Sequence, residues 1–123
     1  MAKILLVEDD EFLRDIYNES LISAGYDVTT AVDGEDGLNK IKQAGWDLIL
    51  LDVLMPKLSG IDIVKQIKSS STFPPTQHIV FLTNIDNEDT IHQLQELGDG
   101  YLVKSQLTPE EFVEKVKSYL PAN

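Results

Sequence analysis

The chain has 123 residues, no cysteine and a formal net charge of −11, from 21 acidic against 10 basic side chains. That length suits one domain, taken as 1–123, and is enough to bury a core without staples. The lack of thiols excludes disulfides, thiolate metal sites and cysteine nucleophiles, and fits a reducing compartment. The acidic excess repels DNA, RNA and anionic lipid, all of which require basic patches. No apolar stretch approaches the ~18 residues of a membrane span. Met1-Ala2-Lys3 runs straight into strand-like sequence, so a cytoplasmic domain without a signal peptide is expected.

In chain order, short apolar runs alternate with longer amphipathic stretches. Ile4-Leu5-Leu6-Val7 is the first strand, and Phe12, Leu13, Ile16, Tyr17 and Leu21 follow at helical spacing, closed by Gly25. Val28-Thr29-Thr30-Ala31 is more polar and is expected at a sheet edge. Leu38, Ile41 and Lys42 belong to a second helix ended by Gly45. Leu48-Ile49-Leu50-Leu51 is the third strand, and a loop, Pro56-Lys57-Leu58-Ser59-Gly60, leads to a helix bearing Ile61, Val64 and Ile67. The segment from Ser69 to Gln77 is polar and holds Pro74-Pro75, which no helix interior tolerates. Ile79-Val80-Phe81-Leu82 is the fourth strand, Ile91, Leu94 and Leu97 mark a fourth helix ending near Gly98, and Tyr101-Leu102-Val103 is the fifth strand. Thr108, Pro109 and Glu111 form a capping box with proline at the first helical position, and Phe112, Val113, Val116 and Leu120 then face the core.

Continuous apolar strands alternating with helices imply right-handed crossovers and a parallel sheet covered on both faces. In such sheets ligands bind beyond the carboxyl ends of the strands. Glu8–Asp9, Asp52, Thr83 and Lys104 each stand at such an end. Taken singly, Glu8–Asp9 reads as a helix N-cap, Thr83 as a turn residue and Lys104 as a solvated lysine. Their shared rim makes a metal and phosphoryl site the better reading. At an effective dielectric of 20, two carboxylates ~4 Å apart repel by ~4 kcal/mol. A hard divalent ion such as Mg²⁺ (or Mn²⁺) removes that penalty and takes oxygen ligands. Asp52 cannot be a helix cap, since no helix starts before Gly60, and a carboxylate can attack phosphorus to give an acyl phosphate. Lys104 supplies a compact positive charge to a phosphoryl oxygen and Thr83 a hydroxyl to another. His78 and His92 lack zinc spacing.

Leu6-Val7-Glu8-Asp9-Asp10, the segment Leu51-Asp52-Val53-Leu54-Met55-Pro56-Lys57-Leu58-Ser59-Gly60, Leu82-Thr83 and Gly100-Tyr101-Leu102-Val103-Lys104 together resemble the receiver domain of two-component response regulators. The resemblance covers essentially the whole chain. It implies a flavodoxin-like (βα)5 fold, strand order 2-1-3-4-5, with the acid-bearing first and third strands flanking the switch point. It implies that Asp52 accepts phosphate from a histidine kinase or histidine phosphotransfer protein. Glu8, Asp9 and Asp52 would hold Mg²⁺ with the backbone carbonyl of Leu54, while Asp10 stands outside the ligand set. Thr83 and Lys104 would engage the phosphoryl group, and Thr83 with the rotating aromatic Tyr101 would switch the face formed by the fourth helix, fifth strand and fifth helix. A downstream protein would read that face, on a monomer or a phosphorylation-dependent dimer. The domain would be a phosphoacceptor rather than a turnover enzyme.

Four departures from the family pattern stand out. Ser105 follows Lys104 where proline with a cis bond is usual, and a cis bond before a non-proline residue costs ~2.5–4 kcal/mol, so a trans bond is expected. Asn84 follows Thr83 where a small residue is common, and is expected to narrow access to Asp52. Gly98-Asp99-Gly100 is a short approach to the fifth strand. Leu54 and Ile85 are apolar where they would face an in-line water, which predicts slow self-dephosphorylation. Three rivals remain. A flavin carrier would need a phosphate loop where Glu8-Asp9-Asp10-Glu11 stands. An aspartyl phosphatase would need an acid at Leu54. A degenerate receiver would act as a phosphorylation-independent docking module.

Overall fold

A computed structural model describes residues 1–43, 45–70, 78–85 and 87–120. The elements run β1 (Lys3–Val7), α1 (Glu11–Ser23), β2 (Asp27–Ala31), α2 (Gly34–Ile41), β3 (Leu48–Asp52), α3 (Gly60–Ser69), β4 (Ile79–Thr83), α4 (Glu88–Leu97), β5 (Gly100–Val103), a 3₁₀ turn (Lys104–Gln106) and α5 (Pro109–Tyr119). The sheet is parallel with order β2-β1-β3-β4-β5, the flavodoxin-like arrangement expected, with the more polar β2 at an edge. Pro74 and Pro75 lie outside the described residues.

Side chains alternate across each strand, and the two sets enter two cores. Leu5, Val7, Ile49, Leu51, Ile79 and Phe81 pack with Ile41 of α2, Ile63 and Val64 of α3 and Leu94 of α4. Ile4, Leu6, Leu48, Leu50, Val80 and Leu82 pack with Tyr17 and Leu21 of α1 and Phe112 and Val116 of α5. Every residue of β3 is buried, which is why the strand reads as an unbroken apolar run up to Asp52. Phe12 breaks the apolar stripe of α1. It is 72% exposed, in the first turn and off the buried face of Tyr17 and Leu21.

Local signals set the element ends. Gly25 has φ +96°, its N–H bonds the Ile22 carbonyl at 3.0 Å and the Tyr26 N–H bonds the Leu21 carbonyl at 3.2 Å, a Schellman stop for α1. α2 ends at Ile41 with Lys42 as its cap, before Gly45, which sits at φ +106° in the following turn. Just beyond this end Trp46 is buried. The Trp46 indole N–H donates to the Lys40 carbonyl at 2.9 Å. The capping box at Thr108 and Glu111 forms as expected, and the Thr108 N–H lowers the pKa of Glu111.

The β3–α3 loop is tightly folded against the end of β3. Lys57 takes a left-handed φ of 71° and the Leu58 N–H bonds the Pro56 carbonyl at 2.8 Å. The loop returns so closely that a Cβ at Gly60 would strike the carbonyl oxygen of Asp52. Gly60→Ala is therefore expected to destabilise by about 1–3 kcal/mol through backbone displacement. A lowered urea midpoint with an unchanged slope would verify this, and a parent-like midpoint would contradict it.

Candidate functional site

Glu8 continues the path of β1, its N–H still bonded to the Ala31 carbonyl at 3.2 Å, and its side chain is fully buried. Asp52 ends β3 and is 2% exposed, and Asp9 is half-buried. One carboxylate oxygen from each of Glu8, Asp9 and Asp52 falls within a 4.8 Å group. Asp10 takes no part, because its side chain caps α1 by accepting the Leu13 N–H at 3.0 Å. The run of acids after β1 thus divides between capping and the rim.

Lys104 comes from the far end of the chain to meet them. Its ammonium lies 3.1 Å from Glu8 Oε1 and 3.3 Å from Asp52 Oδ1. Among the described residues there is no cis peptide bond, so Lys104–Ser105 is trans, and the lysine still reaches both acids. The alternation explains the partners: Asp52 lies on the sheet face of Leu50, and Lys104, two positions beyond Leu102, projects to that same face. Thr83 has the opposite parity, on the face of Phe81. It is 1% exposed and paired with Val103 at the ends of β4 and β5. Its Oγ1 accepts the Ile85 N–H at 2.8 Å, a bond that does not use the hydroxyl hydrogen.

The electrostatics follow from burial. Loss of water raises the pKa of Asp52 to about 8, reinforced by its hydrogen bond to Glu8 and by the Glu8 charge, and opposed by Lys104. Burial alone would lower Lys104, but the charges of Asp52 and Glu8 outweigh it and hold the ammonium above its usual pKa. Tyr17, stacked on Phe112 with ring centroids 4.2 Å apart, senses the same charges, and burial raises its phenol. A pocket of crowded carboxylate oxygens is the donor set a hard divalent cation takes.

The remaining predicted residues have other surroundings. Tyr101, in β5 opposite Phe81, is half-buried and leans on the core shared with α2, α3 and α4. Leu54 is 64% exposed and Ile85 packs against that same core. Asn84 accepts the Ser105 N–H through its side-chain oxygen at 2.8 Å. Sequence reasoning missed Arg14, whose guanidinium donates to the carbonyls of Glu8 at 2.9 Å and Asp9 at 3.4 Å and so braces the acidic turn. A cation near the start of a helix opposes the dipole, and this was the available signal that it has a partner.

The family model of the response regulator receiver domain matches residues 4–117. The alkaline phosphatase synthesis transcriptional regulatory protein PhoP of Bacillus subtilis is 40% identical over 119 residues, 96% of this chain and 48% of that protein. The response regulator ArlR of Staphylococcus saprophyticus is 34% identical, over 98% of this chain and 53% of its own. The chain spans about half the length of the curated relatives it matches. Among solved structures, the Vibrio cholerae chemotaxis protein CheY4 superimposes with a TM-score of 0.85 at 33% identity, covering 98% of this chain and 99% of that one. The Thermotoga maritima response regulator TrrA, solved in complex with Mg²⁺-BeF, gives a TM-score of 0.82 at 32% identity, covering 98% and 100%.

The raised pKa of Asp52 sets a pH dependence with a definite sign. An acid whose folded pKa lies above its unfolded value withdraws stability as pH climbs from the unfolded pKa to the folded one. In a chelating buffer the chain is therefore expected to melt lower at pH 8 than at pH 5, with Asp52→Asn raising the melting temperature at pH 8 more than at pH 5. An equal effect of the substitution at both values would contradict the assignment.

Proposed function

This chain belongs to the response regulator receiver domain family of two-component signalling, and on that premise we propose that Asp52 is its phosphoacceptor. The observation that carries the reading is the convergence of Glu8, Asp9, Asp52 and Lys104 from β1, β3 and the end of β5 on one pocket. Glu8, Asp9 and Asp52, with the backbone carbonyl of Leu54, would hold Mg²⁺ or Mn²⁺. When bound, that ion supplies charge neutralisation for ionised Asp52 and for phosphoryl oxygens.

The chain's own groups then act as follows. An ionised Asp52 oxygen attacks the phosphorus of a phosphohistidine on a histidine kinase or phosphotransfer protein. A P–O bond forms, the P–N bond breaks, and its electron pair stays on the imidazole. Lys104, already paired to Asp52, favours its ionised form and is placed to attend a phosphoryl oxygen. Thr83 donates its hydroxyl hydrogen to another oxygen, still accepting the Ile85 N–H. Its shift draws the β4–α4 loop inward, and Tyr101 turns toward the space released. The face of α4, β5 and α5 changes shape, and a downstream protein distinguishes the two shapes. Phosphoryl group transfer ends on the chain itself, so the domain works as an acceptor and not by turnover, in the cytoplasm.

Acetyl phosphate with Mg²⁺ is expected to add one phosphoryl group to the parent chain, seen by intact mass, and none to Asp52→Asn. Lys104→Ala should slow uptake on the order of 10²-fold, the size found for loss of one charge-stabilising donor. A parent chain that stays unmodified and binds its partner regardless of Asp52→Asn would instead be a docking module. For the switch, Thr83→Ala should keep phosphoryl uptake measurable while abolishing the phosphorylation-dependent gain in partner binding. Unchanged partner binding would remove Thr83 from the coupling route.

A further inference from the structure

Two residues outside the site proper stand at matching places. Asn84 directly follows Thr83, and Ser105 directly follows Lys104. The ladder between β4 and β5 ends at the pair Thr83 and Val103. Just beyond it, the Ser105 N–H donates to Asn84 Oδ1 at 2.8 Å, so the side chain of Asn84 extends the pairing of the two strands past its backbone end. This bond needs a backbone hydrogen at position 105, which a proline could not supply. The position also lies where Lys104 begins a 3₁₀ turn that has no side-chain cap of its own. From the other side, the Ile85 N–H bonded to Thr83 Oγ1 fixes the start of the β4–α4 loop. The hydroxyl-bearing loop and the ammonium-bearing loop are therefore tied at one point, on the solvent side of the pocket.

We propose that the Asn84–Ser105 hydrogen bond is a positioning latch that holds the Thr83 hydroxyl and the Lys104 ammonium in register for the phosphoryl group. The proposal rests on the reading of Asp52 as phosphoacceptor. Neither latch side chain belongs to the group formed by Glu8, Asp9, Asp52 and Lys104. A loop shifted by phosphoryl contact at Thr83 carries Ser105 with it, so both groups settle together. A latch of this kind lowers the freedom of two loops at once, and its loss is felt as slower phosphoryl uptake and not as unfolding.

The test is a double-mutant cycle on the parent chain, with acetyl phosphate and Mg²⁺ as the probe. Asn84→Ala and Ser105→Pro each remove one partner and are expected to slow uptake about three- to ten-fold, the range of one neutral hydrogen bond. The double variant should be no slower than either single one. Ser105→Ala keeps the N–H and should match the parent. Hydrogen exchange supplies a readout without phosphate: the Ser105 amide should exchange slowly in the parent and at least ~5-fold faster in Asn84→Ala. Should Ser105→Pro fail to fold, Asn84→Ala and the exchange measurement still decide. Parent-like uptake and exchange in Asn84→Ala, or rate losses that multiply in the double variant, would overturn the latch while leaving Asp52 untouched. A parent chain that accepts no phosphoryl group would overturn the Asp52 reading and the latch with it.

Discussion

Glu8 and Asp52 lose their water when the sheet is covered, and the ammonium of Lys104 is the compensating charge that the chain itself provides. The raised pKa of Asp52 records first that loss of water and then the neighbouring Glu8, with Lys104 opposing both. Buried carboxylates without full compensation are costly to a fold. Their presence at the ends of two central strands is the observation on which the proposed chemistry rests. The surrounding structure is arranged to keep them there: Arg14 braces the turn behind Glu8 and Asp9, and Gly60 lets the next loop close over the Asp52 backbone.

The doubly wound topology decides which groups meet. Strands β1 and β3 are neighbours at the centre, so acids at their ends converge although 44 positions separate Glu8 from Asp52 in the sequence. The alternation of side chains then sorts the rim. Asp52 and Lys104 share one face, over Tyr17 and Phe112, while Thr83 and Tyr101 share the other, over the core beneath α2, α3 and α4. The proposed chemistry and the proposed switch thus sit on opposite faces of a single sheet edge. A phosphoryl group on Asp52 would need to reach across that edge to engage Thr83, which is how a local charge could move a distant aromatic.

The surroundings of three departures from the family pattern differ from what residue size alone suggests. Asn84 turns its side chain toward Ser105, and Ser105 uses the hydrogen that proline lacks, so two of the departures are one feature. Ile85, apolar and near the site in sequence, is partly buried against the core, while Leu54 stands in solvent.

Much of this protein was legible without coordinates. Apolar runs of strand length, glycine stops such as Gly25 and the box at Thr108 and Glu111 are local signals, governed by backbone sterics and hydrogen bonding within a few residues. Polar residues at strand ends followed from the same reading, because a continuous apolar run that stops at a polar residue marks the carboxyl end of a buried strand. Tertiary structure decided what depends on contacts between distant segments. It set the meeting of Glu8 and Asp9 with Asp52, the bond from Ser105 to Asn84 and the stacking of Tyr17 on Phe112. It also set the pairing of Lys104 with Glu8 across 96 positions. Such contacts carry no local signature, since their energy comes from groups that become neighbours only once the sheet has assembled.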